Sequence, residues 1–205
     1  MLFRSLGLQG RVVGSHVTSL HSMDNYCASK LLPLIAESGL GVVANPLINI
    51  TLQGRHDSYP KRRGMTRVPE LLAAGVPVAF GHDCVMDPWY SLGQACMLDV
   101  ASMGLHVAQM TGQTAMRQCY AAVTETPAKL LGLSGYGIAP GCQADLVLLQ
   151  AQDVVEAIRL RATRLKVWRR GALVASTPAR TAVMRLPGRP TGVDFLMNSP
   201  TQAGA

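Results

Sequence analysis

The chemistry-bearing residues of this chain gather at the end of one apolar run. In VPVAFGHDCVMDPWYSLG, Val76 to Phe80 give way to Gly81, His82 and Asp83, and a Pro-Trp turn follows. An imidazole and a carboxylate can hold a zinc or ferrous ion, or can move protons beside a metal-bound hydroxide. The same residues could also be structural, with Asp83 capping a turn and His82 filling a core. Two further polar residues end apolar runs: His16 closes Arg11 to His16 (RVVGSH), and Asn45 closes Gly41 to Asn45 (GVVAN). The remaining histidines, His21, His56 and His106, form neither HxH nor HExxH. His106 falls within an apolar helical pattern and reads as core. A catalytic zinc takes three protein ligands and keeps one open position. The residues therefore read as part of a metal site.

These groups can meet only if the runs are parallel strands. Val76 to Phe80 lacks polar alternation, as in a strand buried on both faces. The order is strand, helix, strand, loop, helix, strand, helix, which predicts parallel strands joined by helical crossovers. Parallel strands put their carboxyl ends on one face, so His16, Asn45 and Asp83 converge there. Asn45 reads as structural at its strand end, and His82 as packing behind the site. The predicted helices are Asp24 to Glu37, kinked or broken at Pro33, then Arg67 to Ala74, Leu92 to about Thr111, and Ala115 to Leu133, broken near Thr124 to Pro127. Leu47 to about Gly64 reads as a long functional loop. Beyond Gly141 the texture turns to short strands: an apolar DLVLLQ, a hairpin of Arg164–Trp168 with Ala172–Ala175, and one more strand at Thr181–Leu186. The expected division is 1–138 for the α/β part, 139–186 for the β element and 187–205 for a Pro/Gly-rich mobile tail.

Composition narrows the function classes. The chain has 205 residues, 48% of them hydrophobic and 15% charged, which excludes general disorder. No apolar run reaches the roughly 18 residues of a spanning helix, and no signal peptide is read at the N-terminus. Five scattered cysteines without a CxxC suit thiols in a reducing cytoplasm. The net charge of +7 resides in Lys61-Arg62-Arg63, in Arg159 to Arg170 and in the tail. Few aromatics interleave with it and no nucleic-acid motif accompanies it, so basic surface loops are expected, with no nucleic-acid or membrane partner.

The segments SHVTSLHS (15–22), VANPLINITLQGRHDSYPKRRGMTRVPELL (43–72) and FGHDCVMDPWYSLGQACML (80–98) resemble bacterial cytosine deaminases of the amidohydrolase superfamily, from about Gly7 to Ala175. The resemblance implies the C-terminal part of a (β/α)₈ TIM barrel, units six to eight, with the last strands of a small β-sandwich. It also implies one divalent metal, iron or zinc, and hydrolysis of cytosine to uracil and ammonia. It makes Asp83 a metal ligand that also takes a proton from the attacking water. His16 becomes the catalytic histidine orienting that water, and Trp89 a substrate-flanking residue. The family's HxH pair, its further metal histidine, its shuttling glutamate and its substrate glutamine would precede Arg11. The expectation is thus a C-terminal fragment that is inactive alone, or that joins a missing N-terminal half or self-associates. Cys84 stands where the family usually has a second aspartate, which leaves other aminated pyrimidines and triazines open as substrates.

Overall fold

A computed structural model of the chain describes residues 2–193. It falls into two compact units, residues 1–143 and 144 onward. In the first unit the elements follow as α1 (Leu2–Ser5), β1 (Val13–Ser15), α2 (Ser19–Ser22), α3 (Asn25–Ser38), β2 (Gly41–Ala44), α4 (Pro46–Leu52), α5 (Val68–Ala73), β3 (Val78–Phe80), α6 (Met97–Val107), α7 (Gln113–Ala121) and α8 (Glu125–Leu130). The second holds β4 (Leu146–Leu149), α9 (Val154–Leu160), β5 (Arg164–Arg169) and β6 (Ala172–Ser176).

The first unit is built on a parallel sheet in the order β1-β2-β3. Gly14 pairs with Val42 across one side of β2, and Val43 pairs with Ala79 across the other. Val42, Val78, Ala79 and Phe80 are buried, as strands covered on both faces must be. Burying each of the valine and phenylalanine side chains contributes about 1.5–3 kcal/mol. Helix α6 packs on β3. Gly104 permits this contact, because a Cβ there would lie 2.4 Å from Cε2 of Phe80.

Asp24 caps α3 by accepting the Cys27 amide, and Gly39 ends the helix at φ 69°. The helix runs unbroken through Pro33, so the expected break does not occur. Ser29, whose carbonyl loses its i+4 donor, and Pro33 are both exposed, so the freed carbonyl faces solvent and is not buried unpaired. The expected loop from Leu47 opens instead as α4. Pro46 stops β2 and, at the first helical turn, presets the φ that α4 needs. Conversely, α6 starts at Met97 and not Leu92, since Gly93 (φ 91°) and Ala95 (φ 56°) lie outside helical space. His106 is exposed, not core, and its Nδ1 pairs with the Ser102 carbonyl at 2.6 Å.

Two arginines read from sequence as loop charges tie the connections together. Arg62 pairs with Asp57 at 2.5 Å and donates to Ser22 Oγ (2.6 Å). Its guanidinium hydrogen bonds hold the Asp57 carboxyl down at about 2. Arg63 donates to the Val107 carbonyl at 3.0 Å. Arg67, the third staple, donates to the carbonyls of Leu20 (2.9 Å) and Met23 (2.6 Å) and to Asn25 Oδ1 (2.9 Å).

In the second unit, β4, β5 and β6 form an antiparallel sheet with the expected β5–β6 hairpin. Helix α9 was not expected. Its start is marked by Asp153, whose carboxylate accepts the Val155 and Glu156 amides at 2.8 Å. Thr181–Leu186 forms no strand, only an isolated bridge from Val183 to Gly192. Residues 194–205, most of the expected tail, lie outside the described residues.

Candidate active site

The carboxyl end of β2 fixes the site. Successive carbonyls of a strand point to opposite sides in the sheet plane. Val43 accepts the His16 amide at 2.8 Å on one side, and Ala44 accepts the Gly81 amide at 2.9 Å on the other. The ladder thus reaches one residue beyond β1 and β3 and brings both exits beside Asn45. His16 (φ 63°), Val17 (φ 49°) and Asp83 (φ 65°) then adopt left-handed backbone, which is costly for any residue with a Cβ and most of all for a β-branched one. Such strain gathers at functional sites.

His16 Nε2 lies 3.0 Å from Asp83 Oδ2, both side chains being about a third exposed (40% and 30%). Asp83 therefore does not act as a turn cap, since its two oxygens face His16 and the Cys84 thiol (3.4 Å). Cys84 is pushed up to about 12, first by its hydrogen bond to Asp87 and then by burial and Asp83. His82 points away from the pair. It is buried, its Nδ1 meets the Cys84 carbonyl at 2.8 Å, and its ring meets Tyr90 edge-on. This is the packing role expected of it.

On its other side, His16 meets two amides. Asn45 Nδ2 is 3.2 Å and Asn49 Nδ2 2.9 Å from His16 Nδ1. Both asparagines are buried. Asn45 is thus more than a strand-end residue, and Asn49 was missed altogether. An i,i+4 pair of asparagines flanking a helix-starting proline was the available signal.

Trp89 stands 70% exposed on the loop after Asp83. Asp87 shapes that turn by accepting the amides of Trp89 and Tyr90 at 2.9 Å. The loop and α4 enclose a cleft of about 350 Å³ lined by Thr51, Arg55, Trp89 and Leu92 among others.

Does this arrangement hold a metal? Among the described residues no three His, Cys, Asp or Glu side chains are grouped to bind an ion. His16 and Asp83 face each other as donor and acceptor. The residues present therefore do not fit a complete metal centre.

Comparison with known proteins places the chain. Residues 2–175 match the amidohydrolase family model, and the chain belongs to that family. A pterin deaminase of Rhizobium rhizogenes is 35% identical over 82% of this chain and 38% of its own length. The structure of 5-methylcytosine deaminase from Klebsiella pneumoniae, liganded with 5-fluorocytosine, is 38% identical with a TM-score of 0.83, covering 91% of this chain and 45% of that one. That of N-isopropylammelide isopropylaminohydrolase from Burkholderia multivorans is 30% identical with a TM-score of 0.72, covering 85% and 42%. The chain thus spans less than half the length of each relative. The α/β architecture is that of part of a TIM barrel. More distant neighbours, at 22% and 16% identity, share the fold alone, and both were solved with zinc. No helix among the described residues is long and apolar enough to cross a membrane.

Proposed function

We propose that this chain carries the proton-handling half of a deaminase-type amidohydrolase acting on an aminated nitrogen heterocycle, with cytosine-like pyrimidines as first candidates. The observation that carries this reading is the 3.0 Å contact of His16 Nε2 with Asp83 Oδ2 at the carboxyl end of parallel strands. Water adds to the ring carbon bearing the exocyclic amine, and ammonia leaves. Asp83 takes the proton of the attacking water and passes it to the departing nitrogen. His16, bearing a proton on Nε2, donates a hydrogen bond to the oxygen that gains charge as water adds. Trp89 offers an apolar face to the flat ring. Asp83 would also be a ligand that this chain contributes to a divalent metal, iron or zinc, and such an ion would lower the proton affinity of water.

Similarity to a pterin deaminase and to an ammelide aminohydrolase widens the substrate class beyond cytosine. Cys84 against Asp83 supports that breadth. One observation favours a second reading, a half-enzyme inactive alone: among the described residues no three His, Cys, Asp or Glu side chains are grouped to bind an ion. It would be completed by a second copy or by a chain supplying the missing ligands.

Ammonia release tests both readings. Cytosine, 5-methylcytosine, pterin and an aminotriazine are each offered to the chain with Fe²⁺ or Zn²⁺. The chain is assayed alone and mixed with the N-terminal half of a relative. Turnover that disappears in Asp83→Ala is expected in at least one arm. Turnover unchanged by that substitution, or none in any arm, refutes the assignment.

A further inference from the structure

The amides behind His16 point to a specific division of labour, and this inference rests on the reading of His16 given above. Asn49 Oδ1 accepts the backbone amide of Asn45 at 3.2 Å. That bond fixes which way the Asn49 amide faces, because its oxygen must meet the N–H. Its NH₂ group is therefore the end directed at His16 Nδ1, at 2.9 Å. Asn45 Nδ2 reaches the same nitrogen at 3.2 Å and Ser15 Oγ at 3.4 Å. A neutral imidazole has one N–H and one acceptor nitrogen. An Nδ1–H would oppose the donor of Asn49, which at 2% exposure is closed off from solvent.

We infer that Asn49, seconded by Asn45, locks His16 in the Nε2–H tautomer, so that His16 is a hydrogen-bond donor toward the reacting centre and never its general base. Asn45 and Asn49 are positioning residues that act through the ring. This reverses the arrangement in which a carboxylate holds Nδ1–H and frees Nε2 as the base. It leaves Asp83, 3.0 Å from Nε2, as the group at this site that takes the proton.

The test reads the tautomer directly and needs neither metal nor turnover. The full chain is labelled with ¹⁵N-histidine, and long-range ¹H–¹⁵N correlations are recorded, with His16→Gln identifying the His16 ring. The expected spectrum has Nδ1 in the unprotonated range and Nε2 in the protonated range. Asn49→Asp, which replaces the donor by an acceptor, is expected to move the proton to Nδ1. Asn49→Ser supplies a second variant with a smaller side chain, expected to lose the strict preference. A protonated Nδ1 in the unsubstituted chain overturns the inference, whatever the variants do. So does a folded Asn49→Asp chain with an unchanged pattern. No turnover in any arm of the ammonia assay, together with the expected tautomer, would refute the proposed function and leave this inference standing. Asp83-dependent turnover with Nδ1–H would do the reverse.

Discussion

Gly81→Ala makes a severe demand on this site. An added Cβ would lie 2.3 Å from Asn45 Oδ1 and 3.1 Å from Val43 Cγ1. Ordinary contact begins near 3.4 Å, so Asn45 must move by roughly 1 Å or the strand must shift. Neither is easy, because Gly81 is bonded to Ala44, Asn45 is buried, and its Nδ2 is engaged with His16 and Ser15. Overpacking of this kind costs about 1–3 kcal/mol. Displacing the Asn45 amide leaves a buried polar group short of a partner, at about 1–3 kcal/mol more. The two overlap, so we expect about 3 kcal/mol of destabilisation, or about two decades in the folding equilibrium. Urea unfolding followed by far-ultraviolet circular dichroism of the full chain measures it. The helices of the first unit supply most of the signal. Gly192→Ala is the control: no neighbour lies within 4 Å of its added Cβ, and a change within about 0.5 kcal/mol is expected. A loss below about 1 kcal/mol for Gly81→Ala, with the His16 ring resonances unmoved, would refute the idea that the close strand exits hold Asn45 in place.

Arg67→Ala should cost about 2–3 kcal/mol in the same assay, since it removes three charge-assisted donors to Leu20, Met23 and Asn25. Arg67→Lys should rescue little of it, because an ammonium cannot span three acceptors in fork geometry, and full rescue would refute the staple. The Asp57–Arg62 pair should survive deep into acid. Its carboxyl is depressed from 3.8 to about 2, so its contribution is complete above about pH 4 and lost as pH falls through about 2. A ¹³C titration of the Asp57 carboxyl checks this, and a midpoint near 4 would contradict the geometry.

The parallel core was legible because strands buried on both faces leave short unbroken apolar runs, as Val76 to Phe80 does. The convergence of His16, Asn45 and Asp83 followed from strand direction alone. Helix limits were less legible, for reasons of backbone geometry. Nothing in the apolar pattern of Leu92 to Thr111 reveals that Ala95 takes a positive φ, so the start of α6 was placed too early. Pro46 looked like a strand stop and was also a helix start. Reading α4 as loop hid Asn49, since only a helix puts it one turn beyond Asn45. The arginines at 62 and 63 looked like solvated charge because their acceptors, Ser22 and the Val107 carbonyl among them, are distant in sequence or are backbone atoms that sequence does not mark. The strand expected at Thr181–Leu186 lacked a partner: β6 ends at Ser176, and only Val183 finds a bridge.

The geometry of the His16–Asp83 pair needs only this half of a barrel. Both exits are hung on adjacent carbonyls of β2, and the left-handed turns at His16 and Asp83 then aim the side chains at each other. None of these constraints comes from a residue outside 13–83. The unsatisfied part of the fold lies elsewhere: the outer edge of β1 has no strand beside it among the described residues, and Val13 there is 40% exposed. An open parallel edge of this kind recruits another strand or another chain.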